Sequence, residues 1–109
     1  MPKPDSLQGS LDLLVLKVLS RHPRLHGYAI TSAIQARSGE VLRVEEGSLY
    51  PALHRMEESG WIQAEWITKD NGRRLRVYEL MTLGKKQLAS EESRWQAVTL
   101  AVNRVLRTV

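Results

Sequence analysis

From Thr82 to the C-terminus the chain contains no proline, and the only glycine there, Gly84, falls in the first turn. Nothing interrupts a single helix of roughly 27 residues, about 40 Å long at 1.5 Å per residue. Along it Met81, Leu88, Trp95, Val102 and Val109 recur every seven residues. Glu91, Val98 and Val105 fill the companion positions, so the stripe is apolar except at Glu91. A seven-residue apolar repeat is the spacing that lays one helix against another. Residues 1–80 are too few to make a body that covers a stripe of this length. Residues 81–109 are therefore expected to form a dimerisation helix, with Leu88, Trp95, Val98, Val102 and Val105 at the contact between two copies. The pattern leaves the orientation of the two helices open.

Residues 1–80 read as one small domain of short elements. Ser10 is placed to cap a helix carrying Leu11, Leu14, Val15, Val18 and Leu19 on one face, and Pro23 closes it. His26-Gly27 opens a second helix with Ala29, Ile30, Ala33 and Ile34 at the same spacing, ended by Gly39. After a connector over residues 40–47, Ser48 is the expected cap of a third helix, with Pro51 in its first turn. Leu49, Ala52, Leu53 and Met56 point inward, Tyr50, His54, Arg55 and Glu58 lie on other faces, and Ser59-Gly60 ends the helix. From Trp61 the period becomes two: Ile62, Ala64 and Trp66 share one side of a strand, Gln63, Glu65 and Ile67 the other. Asn71-Gly72 signals a hairpin; as a two-residue type I′ loop it pairs Asp70 with Arg73 and sets Trp66 opposite Val77.

Composition excludes several activities. The chain has no cysteine, which removes disulfides, thiolate metal sites and cysteine nucleophiles. His22, His26 and His54 fall on separate elements without the spacing of a metal site or of a nucleophile and its base, so no catalysis, metal or cofactor is expected. The segment Met1–Asp5 lacks the basic and apolar regions of a signal peptide, and no run approaches the roughly 18 apolar residues of a spanning helix. A cytoplasmic chain without membrane contact is expected. Net charge is +4, but residues 1–80 hold eleven Lys or Arg against ten Asp or Glu, and residues 81–109 five against two. The excess lies in the tail, so any case for a nucleic-acid partner rests on where particular cations stand.

Three short helices followed by a two-stranded hairpin make a mainly α fold with a small β wing, the order of a winged helix-turn-helix. In such a fold the third helix fits the DNA major groove and its predecessor braces it. The same scaffold also serves as a protein-interaction module without specific DNA binding, which is the alternative reading. Lys69, Arg73, Arg74 and Arg76 cluster at the hairpin turn, where they either straddle a phosphate backbone or form a solvated strand end. Ser48 and Tyr50 near the start of the third helix, and Arg55 further along, are candidates for phosphate or base contacts. Tyr50, and Tyr28 early in the second helix, serve equally as packed aromatics with a satisfied hydroxyl. Glu45, Glu46, Glu57 and Glu58 oppose an anionic partner unless the first two serve the helix dipole and the last two turn away from DNA.

The stretches GSLDLLVLKVL at 9–19, HGYAI at 26–30, EEGSLYPALHRMEESGWI at 45–62, AEW at 64–66 and RRLRVYEL at 73–80 carry a resemblance to PadR-family regulators over nearly the whole chain. It is closest to the short members with a single C-terminal helix. That resemblance implies a dimeric repressor that binds an inverted-repeat operator in double-stranded DNA and is released by a small molecule or another signal. It implies that Ser48, Tyr50 and Arg55 lie on the DNA-reading helix, Tyr28 near phosphate on the bracing helix, and Arg73, Arg74 and Arg76 on the wing. The family usually has threonine after the leucine that ends the last strand, whereas this chain has Met81 and then Thr82. Either the cap moves to Thr82 or Met81 extends the apolar stripe. Trp95, near the middle of the long helix, is either an apolar knob of the dimer or half of a sandwich for a planar aromatic inducer. In the second case Glu91 supplies a carboxylate for a cationic ligand, or else it pairs with Arg94.

Overall fold

In the computed structural model, which describes residues 4–107 and side chains from Ser10 onward, helix α1 spans Pro4–Arg21. Ser10 therefore lies inside the helix and does not cap it; Pro4 opens it, where a missing N–H has no helical partner to lose. Val109, the last position of the sequence repeat, lies outside the described residues. The remaining elements are β1 (Leu25–His26), α2 (Gly27–Arg37), α3 (Glu46–Glu58), β2 (Ile62–Thr68), β3 (Arg74–Leu80) and α4 (Thr82–Arg107).

The body is built on α1. Leu11, Val15, Leu16, Val18 and Leu19 are buried against Ile30 and Ile34 of α2 and the α3 stripe Leu49, Ala52, Leu53 and Met56. Ile62, Tyr78 and Leu88 close this core from the sheet and from α4. Helix α3 starts two residues before the expected cap: the Glu45 carbonyl accepts hydrogen bonds from the Ser48 and Leu49 N–H groups, both at 2.9 Å. Ser48 thus sits within the first turn. Pro51 lies deeper in α3 than its sequence reading, and its ring nitrogen offers no hydrogen bond to the Gly47 carbonyl, which lies on an exposed stretch open to water.

The sheet has the order β1-β3-β2, all antiparallel. His26 caps α2 as the sequence places it, but it also forms with Leu25 the short strand β1, which was not evident from the sequence because two residues cannot show a period. The hairpin also differs by one residue from the two-residue turn. Gly72 N–H donates to the Lys69 carbonyl (2.9 Å) and Lys69 N–H to the Arg73 carbonyl (2.7 Å), with Gly72 at φ +85°. The loop is the three-residue Asp70-Asn71-Gly72, a type I turn closed by a left-handed glycine, and the Asn71 Oδ1 accepts from Arg73 N–H at 3.0 Å. Trp66 consequently faces Arg76, and Glu65 faces Val77.

Met81 precedes the first helical residue of α4, and its carbonyl accepts from Lys85 N–H at 3.0 Å, so it occupies the cap position with an apolar side chain. Its own N–H donates to the Trp61 carbonyl at 2.9 Å. This presses the first turn of α4 onto the α3–β2 junction. Only glycine fits next: a β-carbon on Gly84 would stand 2.1 Å from that same Trp61 oxygen. From there α4 packs along α1, with an ion pair from Lys17 to Glu92 at 3.0 Å, then runs on past the body and gives the molecule extents of 61 × 28 × 23 Å.

Candidate nucleic-acid interface

The helical spacing that buries Leu49, Ala52, Leu53 and Met56 leaves Gly47, Tyr50, Pro51, His54 and Glu58 on the outer face of α3. Two contacts join this face to its neighbours. On one side the Tyr50 ring lies against the start of α2, so close that a β-carbon on Gly27 would meet the Tyr50 hydroxyl at 2.5 Å. Tyr28 stands beside it, 72% exposed, with its carbonyl accepting from Thr31 Oγ1 at 2.9 Å. On the other side Glu57 of α3 accepts a hydrogen bond from Arg76 of the wing at 3.0 Å. The outer face of α3, the start of α2 and the wing are thus bound into one surface.

The wing cations divide by environment. Lys69 and Arg73 are exposed at the tip. The Arg74 and Arg76 guanidinium groups lie over the Trp66 ring, 4.8 and 5.4 Å from its centre. Behind them Tyr78 is buried, and that burial pushes its hydroxyl pKa up, with the Glu57 charge adding to the rise.

Two of the sequence candidates on α3 point elsewhere. Arg55 turns toward α1 and donates to Asp12 at 2.6 Å. Ser48, on the same flank, borders a groove between α1 and the 42–45 connector. Asp12 is a buried acid whose pKa is raised by its loss of water; Arg55 opposes the rise and the nearby Glu91 charge adds to it. His54, which the sequence reading left without a role, is on the outermost face, 3.5 Å from Glu58. Being a single histidine among charged neighbours, it gave no distinguishing signal. Asp12 did give one, as a lone acid in the apolar run LDLLVL.

On α4, Leu88 is buried in the core of its own chain, whereas Trp95, Val98, Val102 and Val105 are exposed, together with Leu100 and Leu106. Glu91 accepts from Gln87 (2.8 Å) and Arg94 (2.5 Å) and does not border the groove. Trp95 does: the groove holds about 630 Å³ and is lined chiefly by Leu11, Leu13, Leu14, Leu42, Val44 and the indole. No group of three or more potential metal ligands occurs among the described residues, and no helix among them is long and apolar enough to cross a membrane.

A helix-turn-helix packed on a three-stranded sheet with a protruding hairpin defines a winged helix-turn-helix fold. The model of the "Transcriptional regulator PadR-like family" matches residues 15–90, and the chain belongs to this family. A PadR family transcriptional regulator from Eggerthella lenta is 28% identical, with a TM-score of 0.79 over 95% of this chain and 88% of that one. A PadR-like transcriptional regulator from Bacillus cereus is 26% identical, also with a TM-score of 0.79, over 96% and 99% of the two chains. An uncharacterized protein of Lysinibacillus sphaericus is 28% identical over 98 residues, 90% of this chain and 89% of that one. The protein is accordingly a transcriptional regulator.

Proposed function

We propose that the chain is a dimeric repressor acting in the cytoplasm, which binds an inverted-repeat operator in double-stranded DNA through residues 1–80 and dimerises through residues 81–109. The observation that carries this reading is the single surface made by Tyr28, the outer face of α3 with Tyr50 and His54, and the wing cations. A helix face of this kind fits a major groove, and cations on a protruding hairpin reach the adjoining backbone or minor groove. Lys69, Arg73 and Arg74 act on phosphate, and Tyr50 and His54 face the bases. Arg55 acts from behind, holding α3 against α1 through Asp12, and Ser48 stands at the edge of the reading surface. Dimerisation uses Trp95, Val98, Val102 and Val105, the exposed stripe of α4; Leu88 anchors that helix to its own chain. A planar aromatic inducer meets Trp95 at the open groove, whose volume lies within the roughly 300–1,000 Å³ of small-molecule sites. Glu91 is held by Gln87 and Arg94 and serves that site only if those contacts break.

Selection of bound sequences from random duplexes, followed by footprinting, tests the reading. An inverted repeat with half-sites about one helical turn apart is expected. Replacing Arg73 and Arg74 together by alanine weakens binding to all duplexes and lowers the salt slope by up to about 2 per wing. Recovery of no preferred duplex contradicts the reading, and an unchanged salt slope removes the wing from it.

A further inference from the structure

We propose that Trp66 is a positioning residue for DNA engagement, a platform that holds Arg74 ready for phosphate; this rests on the DNA-binding reading above. The hairpin register carries the argument. Because Trp66 faces Arg76 and Thr68 faces Arg74, these four side chains share one side of the sheet. Further down the strands that side is the core side, bearing Ile62, Ala64, Tyr78 and Leu80. Past the core it becomes an indole, 52% exposed, with a guanidinium over it from each of two alternate positions on β3.

The two arginines are held differently. Arg76 is 5.4 Å from the ring centre and also bonded to Glu57 of α3, so its charge is already matched and it ties the wing to the reading helix. Arg74 is nearer the ring at 4.8 Å, and no ion pair with a carboxylate is formed by it among the described residues. A guanidinium over an aromatic face keeps its edge N–H donors and its charge, while the long side chain loses rotamer freedom before DNA arrives. Less ordering is then left to be done on binding. Trp66 thus acts on DNA through Arg74 without touching it.

A double-mutant cycle on the selected operator tests this. Trp66→Leu is expected to weaken binding about threefold per wing, the size of a cation–π contact at an exposed site, and about tenfold for a dimer engaging two wings. Trp66→Phe keeps a ring and is expected to stay within about twofold of wild type. In an Arg74→Ala background, Trp66→Leu is expected to cost nothing more, since the residue it positions is gone. Upfield ring-current shifts of the Arg74 side-chain protons in the free protein are expected in wild type and the phenylalanine variant and absent in the leucine variant. Trp66→Thr, which suits an exposed strand, replaces the leucine variant should that one disturb the hairpin. An equal loss with and without Arg74 overturns the proposal, because the indole then touches DNA itself or merely supports the fold. Equal losses for the phenylalanine and leucine variants overturn it too. Failure of wild type to bind any duplex overturns the DNA-binding reading and this inference together.

Discussion

The two halves of α4 share one apolar spacing and meet opposite surroundings. In the first half Gly84 and Leu88 are buried against the body, and Glu92 is paired with Lys17 of α1. In the second half Trp95, Val98, Val102 and Val105 stand on the exposed surface at the same spacing. Periodicity reports that a helix face is to be covered, and is silent on whether the cover comes from the same chain. Leu88 and Trp95 are one repeat apart and fall on either side of that division.

Breaking the first half is expected to have the largest effect. Alanine for glycine in an open helix stabilises by roughly 0.5–1 kcal/mol. At Gly84 the sign reverses, because the new β-carbon would stand 2.1 Å from the Trp61 carbonyl oxygen, on backbone that has no easy way to yield. A loss of about 3 kcal/mol is expected for Gly84→Ala in denaturant unfolding. A stabilised variant would show that α4 does not press on the α3–β2 junction. Leu88→Ala comes next, at about 2 kcal/mol, the low end for a core leucine, because Leu88 lies at the edge of the core and keeps 7% of its surface exposed. Its effect on unfolding should persist on dilution, as expected for a contact within one chain.

A smaller effect is expected at the seam where α4 meets α1, around Asp12. Burial raises the Asp12 pKa above its ordinary value of 3.8, with the Arg55 contact working against the rise and Glu91 adding to it. The folded state therefore holds this proton more tightly than the unfolded chain does. The stabilising contribution is full below the ordinary carboxylate pKa and is lost as pH rises through the folded value. Asp12→Asn is expected to match wild type in acid and to exceed it near neutrality, measured by urea unfolding across pH. A wild type that gains on the asparagine variant as pH rises would mean that the Arg55 pair outweighs burial.

Legibility followed the range over which each signal acts. The inward stripe of α3 and the change of period at Trp61 depend on local spacing, and Leu49, Ala52, Leu53, Met56 and Ile62 are buried as that spacing requires. Caps were less readable: Ser10 and Ser48 have the right chemistry, but both helices begin earlier, at Pro4 and Glu46. The hairpin shows how little separates two registers. Asn71-Gly72 serves a two-residue or a three-residue loop, and the shift of one residue exchanged Val77 for Arg76 opposite Trp66. Contacts between elements distant in sequence, such as Arg55 with Asp12 or Arg76 with Glu57, leave no periodic trace at all.

If a second copy covers the second half of α4, replacing Val98 and Val102 together by aspartate should separate the two chains. Both valines are exposed in the single chain, so the stability of the dissociated chain should change by less than about 0.5 kcal/mol each. Sedimentation equilibrium at tens of micromolar should then give wild type at twice the chain mass and the double variant at one chain mass, with equal helical content by circular dichroism. Wild type sedimenting as a single chain, or a double variant that remains a dimer, would mean that no second copy covers this half of α4.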